Sequence, residues 1–447
     1  MKATSFPLAQ ISDREIDLND IAGANGFLFV REGVGFAALG ISARTNAADA
    51  RSILSEIEQS STDLPIGVGP IMFGSIPFDT SRDADFILPT ITFCKTREGD
   101  TWVTVIDDAP IPPLDQVAPK PSNAHFDVRD GVAVNTYIAA VEAARSAVRN
   151  GLLTKAVIAR DVFVESDTPI DIHAVLMRLK SSFGTSYRYS FDGFVGASPE
   201  LLVAIHDDEI TSHPLAGTTP RTGDAEKDAA LAKQLVASTK NQIEHRVVID
   251  MVHDTLLPHC SYLDWEAEPS VVQVANVQHL GTQLVGKLSE PQLHVLDAAI
   301  ALSPTPALGG FPRDEALQLI ARCEGMDRDK YGGAIGWFDA QGNGVFAVAI
   351  RCAQFNESRT QARLFAGGGI VADSEPLDEL AETQAKLQAM LTAIIRPSLV
   401  TSPALRQLLH TEHCDHQHLC FDLFERQLLT LRYYSFRVVN LLPLPPM

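Results

Sequence analysis

The sequence predicts an α+β fold, with large antiparallel β-sheets packed in layers and helices outside. Two observations carry that expectation. Short runs alternating apolar residues with Gly or polar residues recur in hairpin-like pairs. Segments of helical period are interspersed among them, as in α+β proteins. The composition, 45% hydrophobic with Gly 29 and Pro 26 spread along 447 residues, is globular and excludes collagen-like, coiled-coil and wholly disordered chains.

The elements follow in order. GANGFLFV (23–30) and VGFAALGI (34–41) read as adjacent antiparallel strands, and NAADARSILSEIEQ (46–59) as an amphipathic helix. The stretch 108–125 holds five prolines and reads as a connector. Beyond it, residues 134–155 form a helix ending near Gly151, 156–164 a strand, 170–183 a helix and 187–205 hairpin strands. A long helical region spans 226–257, strands recur at 331–340, 344–355 and 362–372, and a helix closes the pattern at 375–395. At about 150 residues per domain the length suggests two or three units. They are an N-terminal α+β part (1–125), a larger part (126–396) and a tail (397–447) expected to be disordered or loosely attached. The tail crowds His410, His413, Cys414, His416, His418 and Cys420 into eleven positions, without the paired spacing of a structural zinc motif.

Six widely spaced cysteines fit a reducing cytoplasm, and no apolar run approaches the ~18 residues of a membrane span. The N-terminus lacks the apolar core of a secretory signal. A net charge of -20 argues against nucleic acid or an anionic membrane as partner.

Chemistry concentrates at a few places. Glu379, Glu382 and Lys386 stand at i, i+3 and i+7, so two carboxylates and an ammonium share one helix face. A solvated face would look the same, but two adjacent carboxylates repel and a cation relieves the repulsion. Just before them, Gly367, Gly368 and Gly369 let backbone amides approach an anion. Glu244 sits mid-helix among Leu235, Ile243, Val247 and Met251, and magnesium favours one or two carboxylates plus substrate oxygens. The stretch 212–224, with Gly217, Thr218 and Arg221, reads as a loop able to present amides and hydroxyls to a carboxylate. Glu200 stands at a strand end and Lys155 where a helix feeds a strand.

Taken together, TKAVIAR, ASPELL, PLAGTTPR, KNQIEH, VQHLGTQL (277–284), PTPALGGFP (304–312), YGGAIGWFD, AIRCA (349–353), AGGGIV and DELAETQAK resemble, in order, the chorismate-utilising enzymes. These include isochorismate, salicylate, anthranilate and aminodeoxychorismate synthases. The resemblance covers about residues 130–395 and implies an anthranilate synthase component I-like fold. It also implies a nucleophile attacking C2 of chorismate as the C4 hydroxyl departs. A Lys at position 155 is similar to the water-using members; a buried lysine whose pKa is lowered by desolvation can act as base on water. Glu200 matches the general acid. Glu244, Glu379 and Glu382 match the ligands of a magnesium ion. Gly217, Thr218, His279, Thr305, Ala307, Tyr331, Arg351, Gly367, Gly368, Gly369 and Lys386 match the substrate-binding positions.

The resemblance leaves two products open. Ala307 is similar to the isochorismate-forming members, where salicylate synthases carry Thr, whereas Tyr331 is similar to the salicylate type. The expectation is therefore an isomerase interconverting chorismate and isochorismate, with a salicylate-forming lyase as alternative and a monomer as the working unit. A metal-binding or interaction protein on a retired enzyme fold is disfavoured by the intact Lys155, Glu200 and three glutamates. Two departures stand out. Asn241 occupies a position where relatives carry an acid, and Ser303 one where many carry His.

Overall fold

The computed structural model describes residues 1–395 apart from 62, 115–123 and 275–276. Half of the expected connector, residues 115–123, and the whole tail, with its histidines and cysteines, lie outside the described residues.

Most of the strands form one continuous sheet with two arms, antiparallel apart from the short pairing of Lys2–Pro7 with Glu58–Gln59, and a single strand, Asp85–Lys95, belongs to both arms. Its second half pairs with Thr101–Ile106, and Phe27–Arg31 and Val34–Thr45 form the expected hairpin beside it. From there the first arm runs through Tyr187–Phe191, Phe194–Ser198, Cys352–Phe355 and Gln361–Ile370 to Lys155–Ser166. The first half of Asp85–Lys95 pairs with Met72–Ile76, which leads through Ala334–Phe338, Gly344–Val348 and Leu201–His206 to Glu209–His213, Leu284–Leu288 and Cys260–Trp265. The N-terminal strands thus pair directly with strands of the 126–396 region.

Both faces of most strands are buried, so the apolar runs are near continuous. Between the arms lies an aromatic core of Phe27, Phe29, Phe36, Phe73, Tyr187, Tyr189, Phe191 and Trp337. Helices Ile172–Ser182 and Pro376–Ile395 cover the outer face of one arm, and Thr239–Leu256 and Val295–Leu302 that of the other. No helix among the described residues is long and apolar enough to cross a membrane.

Two expectations need correction. The helical region 226–257 is two helices, Ala225–Ala237 and Thr239–Leu256, separated at Ser238, whose hydroxyl caps the second at Asn241 N. The second helix buries His245, Val248, Ile249, Val252 and Leu256, leaving Ile243 exposed. The stretch 212–224 is mostly strand. Leu215 and Ala216 are buried, and Leu215–Pro220 pairs with Val277–Gly281 in a separate three-stranded sheet, with a bulge at Gly217, whose φ is +72°. Their apolar side chains pull the segment out of solvent, and only residues 221–224 remain a turn.

Phe73 is the hub of the aromatic core, edge-on to Phe36 at 5.1 Å and to Phe191 at 5.3 Å. Phe73→Ala should lower unfolding stability by about 3–5 kcal/mol in a denaturant melt. A loss below about 1 kcal/mol would mean that the two arms are held together elsewhere.

Candidate active site

One strand pair forms the floor of a single cavity. Lys155–Ser166 pairs with Gln361–Ile370, in a register that sets Val157 opposite Gly369 and Ala159 opposite Gly367. Val157 N donates to Gly309 O at 3.0 Å and Ala159 N to Glu324 Oε1 at 2.6 Å, so these residues turn away from the partner strand. Their opposites, Gly367 and Gly369, likewise present their backbone on the free edge, where Lys386 Nζ donates to Gly367 O at 2.7 Å. Gly368 falls in the alternate position, its amide spent on the ladder. Of the three expected amides, the strand geometry leaves two, and only Gly367 and Gly369 line the cavity.

The glycines matter more for the side chains they lack. A Cβ on Gly369 would collide with Glu244 Oε1 and lie 2.7 Å from Lys155 Cε. On Gly368 it would stand 2.8 Å from Glu379 Oε2 and 3.8 Å from Glu382 Oε1, and on Gly367 3.0 Å from the Tyr331 hydroxyl. The strand is bare so that three carboxylates, a lysine and a phenol can close over it.

Each of those carboxylates meets a lysine. Glu244 Oε1 lies 2.7 Å from Lys155 Nζ, with side chains 12% and 2% exposed. Glu382 pairs with Lys386 at 2.6 Å, and Glu379 with Lys240 at 3.6 Å. Burial works against the Glu244 carboxylate, but Lys155, backed by Lys386 and Lys240, holds its pKa below the usual value. Burial, then repulsion from Glu382, pushes Glu379 up to about 7. The expected buried amine at position 155 is therefore present, but engaged with Glu244 rather than free.

Glu200 sits in the short turn between Phe194–Ser198 and Leu201–His206. It is buried, accepts from Leu215 N at 3.3 Å, and burial raises it to about 7 despite Lys155, Arg351 and Lys386 nearby. A carboxyl so placed holds a proton near neutrality.

The lining also presents an arginine. Arg351, at φ +52°, is buried, and its Nη2 donates to His279 Nε2 at 2.9 Å. His279 Nδ1 lies 3.2 Å from Gly217 O, which can only accept, so the ring proton sits on Nδ1; Thr218 Oγ1 lies 3.1 Å from the same atom. Burial, then Arg351, drives the His279 pKa well below its usual value, so the ring is neutral. Arg351 Nε and Nη1 are buried without partners among the described residues. Two unpaired guanidinium donors in a cavity wall ask for a carboxylate.

Ala307, Leu308, Val157 and Tyr331 complete the enclosure. All the expected site residues reach the cavity except Gly368 and Thr305. Thr305 is buried off it, and its carbonyl accepts from Leu308 N at 2.9 Å and Gly309 N at 2.8 Å, forming the turn that presents Ala307. Asn241 does line the cavity, its amide donating to Ser238 Oγ at 2.9 Å. Ser303 is buried away from it. Sequence reasoning missed Lys240, within the quoted KNQIEH, and Ile350, beside the quoted Arg351; both line the cavity. Proximity in the motif was the available signal.

An all-oxygen donor set of three glutamates fits a hard divalent cation. Among the described residues no three acidic, His or Cys side chains already surround one point, because each glutamate faces a lysine. The glycine cradle and the raised Glu379 pKa still favour a cation between them.

Residues 113–395 match the family described as chorismate binding enzyme. The chain is 38% identical over 359 residues to the Mycobacterium tuberculosis protein named "Putative isochorismate synthase MenF", covering 78% of this chain and 92% of that one. It is 35% identical over 356 residues to isochorismate synthase MenF of Bacillus subtilis, covering 73% and 75%. The structure of MenF, the menaquinone-specific isochorismate synthase from Escherichia coli, superposes with a TM-score of 0.71 at 25% identity, covering 88% and 94%. The chain belongs to the chorismate-binding enzyme family. Within that family, these relatives are named isochorismate synthases.

The raised Glu200 pKa carries a stability signature. The folded state binds this proton more tightly than the unfolded chain, so the group's contribution is most favourable below about 4.5 and is lost as pH rises towards about 7. Glu200→Gln should therefore gain stability over the parent protein between pH 5 and pH 8, by up to about 3 kcal/mol in paired denaturant melts. A difference independent of pH would show that Glu200 is not held protonated by the fold.

Proposed function

We propose that this chain is an isochorismate synthase, converting chorismate reversibly to isochorismate. The observation that carries the reading is the enclosure of Lys155, Glu200 and the buried, part-unpaired Arg351 around one cavity floored by Gly367 and Gly369. Water enters at C2, the ring double bond shifts, and the C4 hydroxyl leaves as water. As the neutral amine, released from its pairing with Glu244, Lys155 takes the proton from the attacking water. Glu200 delivers a proton to the departing hydroxyl, its neutral form favoured by burial. Arg351, presented by His279, takes one substrate carboxylate, and Lys386 with the Gly367 and Gly369 amides lines the same cavity. Glu244, Glu379 and Glu382 would hold a magnesium ion, which when bound supplies a Lewis acid and a template for the other carboxylate. The working unit in this reading is a cytoplasmic monomer.

Ala307 supports isochorismate as the released product. Conversion onward to salicylate needs isochorismate held while its C2 hydrogen moves to the enolpyruvyl group as the C–O bond breaks. Holding that geometry depends on close walls. Ala307 lacks the γ-methyl and hydroxyl that Thr would add to the wall. Tyr331 favours salicylate by residue type, but its ring stacks on Phe365 at 5.2 Å.

Purified protein with chorismate and magnesium should give a chorismate–isochorismate mixture by absorbance and chromatography, with at most trace pyruvate. EDTA should abolish turnover and magnesium restore it. Lys155→Ala and Glu200→Gln should each lower kcat by roughly 10²–10⁴. Ala307→Thr should raise the pyruvate yield. Stoichiometric pyruvate and fluorescent salicylate from the unmodified protein would replace this reading with the lyase.

A further inference from the structure

The catalytic strand has a gap along one edge. Phe311 and Gly310 pair with Lys155 and Ala156, and Phe126–Asp130 pairs with residues 162–166. Between them, Val157 O and Ala159 N face no strand. Two side chains take the place of one: Arg328 Nη2 donates to Val157 O at 2.7 Å, and Glu324 Oε1 accepts from Ala159 N at 2.6 Å. Glu324 and Arg328 also pair with each other, at 2.6 Å and 2.7 Å, with side chains 1% and 2% exposed.

The same guanidinium reaches two further walls. Its Nη1 donates to Leu308 O at 2.8 Å, fixing the residue next to Ala307. Its Cζ also lies 5.9 Å from the centre of the Tyr331 ring, while the Arg328 backbone carbonyl accepts from Tyr331 N at 2.9 Å. Arg328 packs over the buried Phe78 ring at 4.2 Å. Val157, Leu308 and Tyr331 all line the cavity, whereas Arg328 and Glu324 do not. One buried ion pair therefore joins the strand bearing Lys155 to the segment bearing Ala307 and to Tyr331.

Stability alone gives little reason for it. Apolar residues of similar volume can replace a buried ion pair; what they could not replace is the link to Val157 O, Ala159 N and Leu308 O, which ties three segments together. We propose that Arg328, oriented by Glu324, is a positioning residue that sets the separation between Lys155 and the wall of Val157, Ala307, Leu308 and Tyr331. It touches neither substrate nor metal. The inference rests on the proposed isochorismate synthase reading and deepens it.

The test compares Arg328→Lys and the double variant Arg328→Met/Glu324→Met with the parent protein, using chorismate and magnesium. A displacement of about 1 Å can cost ~10²-fold in rate. Both variants should fold with a cooperative melt and lose about 10–100-fold in kcat, while KM for chorismate stays within about three-fold. Parent-like kcat in either folded variant would overturn the proposal, as would a loss confined to KM. Failure of both variants to fold would make the pair a folding element only, and would overturn it too. No turnover by the parent protein would instead refute the isochorismate synthase reading itself, so the two failures are distinguishable.

Discussion

The register between Lys155–Ser166 and Gln361–Ile370 governs the rest of the site. It sets the pairs from Ala156 opposite Ile370 to Glu165 opposite Gln361 and brings Lys155 to the end of the ladder beside Gly369. A slip of one residue would invert every side chain on the strand. Lys155 would then leave Glu244, and an alanine would point at the carboxylates. The glycines fix the register's consequence rather than the register itself. They keep the floor low enough for Glu244 and Glu379 to approach it, where any Cβ would intrude.

Onto that floor the fold places an almost balanced set of charges. Three lysines face three glutamates, so the cavity is not the concentrated negative patch that a net charge of -20 would suggest. Arg351 adds a cation that no acid among the described residues hydrogen-bonds, although Glu382 and Glu200 lie near enough to act on it. An anionic substrate is thus met by local cations whose field at contact range outweighs distant surface charge, which salt screens beyond about 8–10 Å. Burial strengthens the effect on both signs: it raises Glu200 and Glu379 towards neutrality and leaves the His279 ring uncharged.

Much of this was legible in the sequence, because the site is built from short motifs at element ends. Glu379, Glu382 and Lys386 follow helical spacing alone, and Lys155 and Glu200 stand where strands begin. What could not be read depends on pairing across large sequence separations. The alternation of Gly367, Gly368 and Gly369 between free and spent backbone follows from which edge of Lys155–Ser166 is capped. The strand nature of Leu215–Pro220 follows from its neighbour Val277–Gly281, some sixty residues on. Polar, turn-rich composition suggested a loop there, and tertiary pairing overrode it. The pairing of Lys155 with Glu244 is likewise invisible until helix and strand are docked.

Arg351 shows why such a site tolerates unfavourable local structure. Its backbone lies at φ +52°, a region that costs a non-glycine residue of the order of 1 kcal/mol, and its side chain is buried with two donors unpaired. Either feature alone lowers the stability of the fold. They persist together because the surroundings over-determine the residue: Ala197 N donates to its carbonyl at 3.1 Å, and His279 holds Nη2. The tautomer of His279 is in turn fixed by Gly217 O, on a strand bulged at that glycine. A lysine could not substitute, since one ammonium cannot both bind the imidazole and offer a planar pair of donors to a carboxylate. The strain at Arg351 and the bulge at Gly217 are therefore two ends of one device, in which a neutral histidine aims a guanidinium whose remaining hydrogen bonds are left for the substrate.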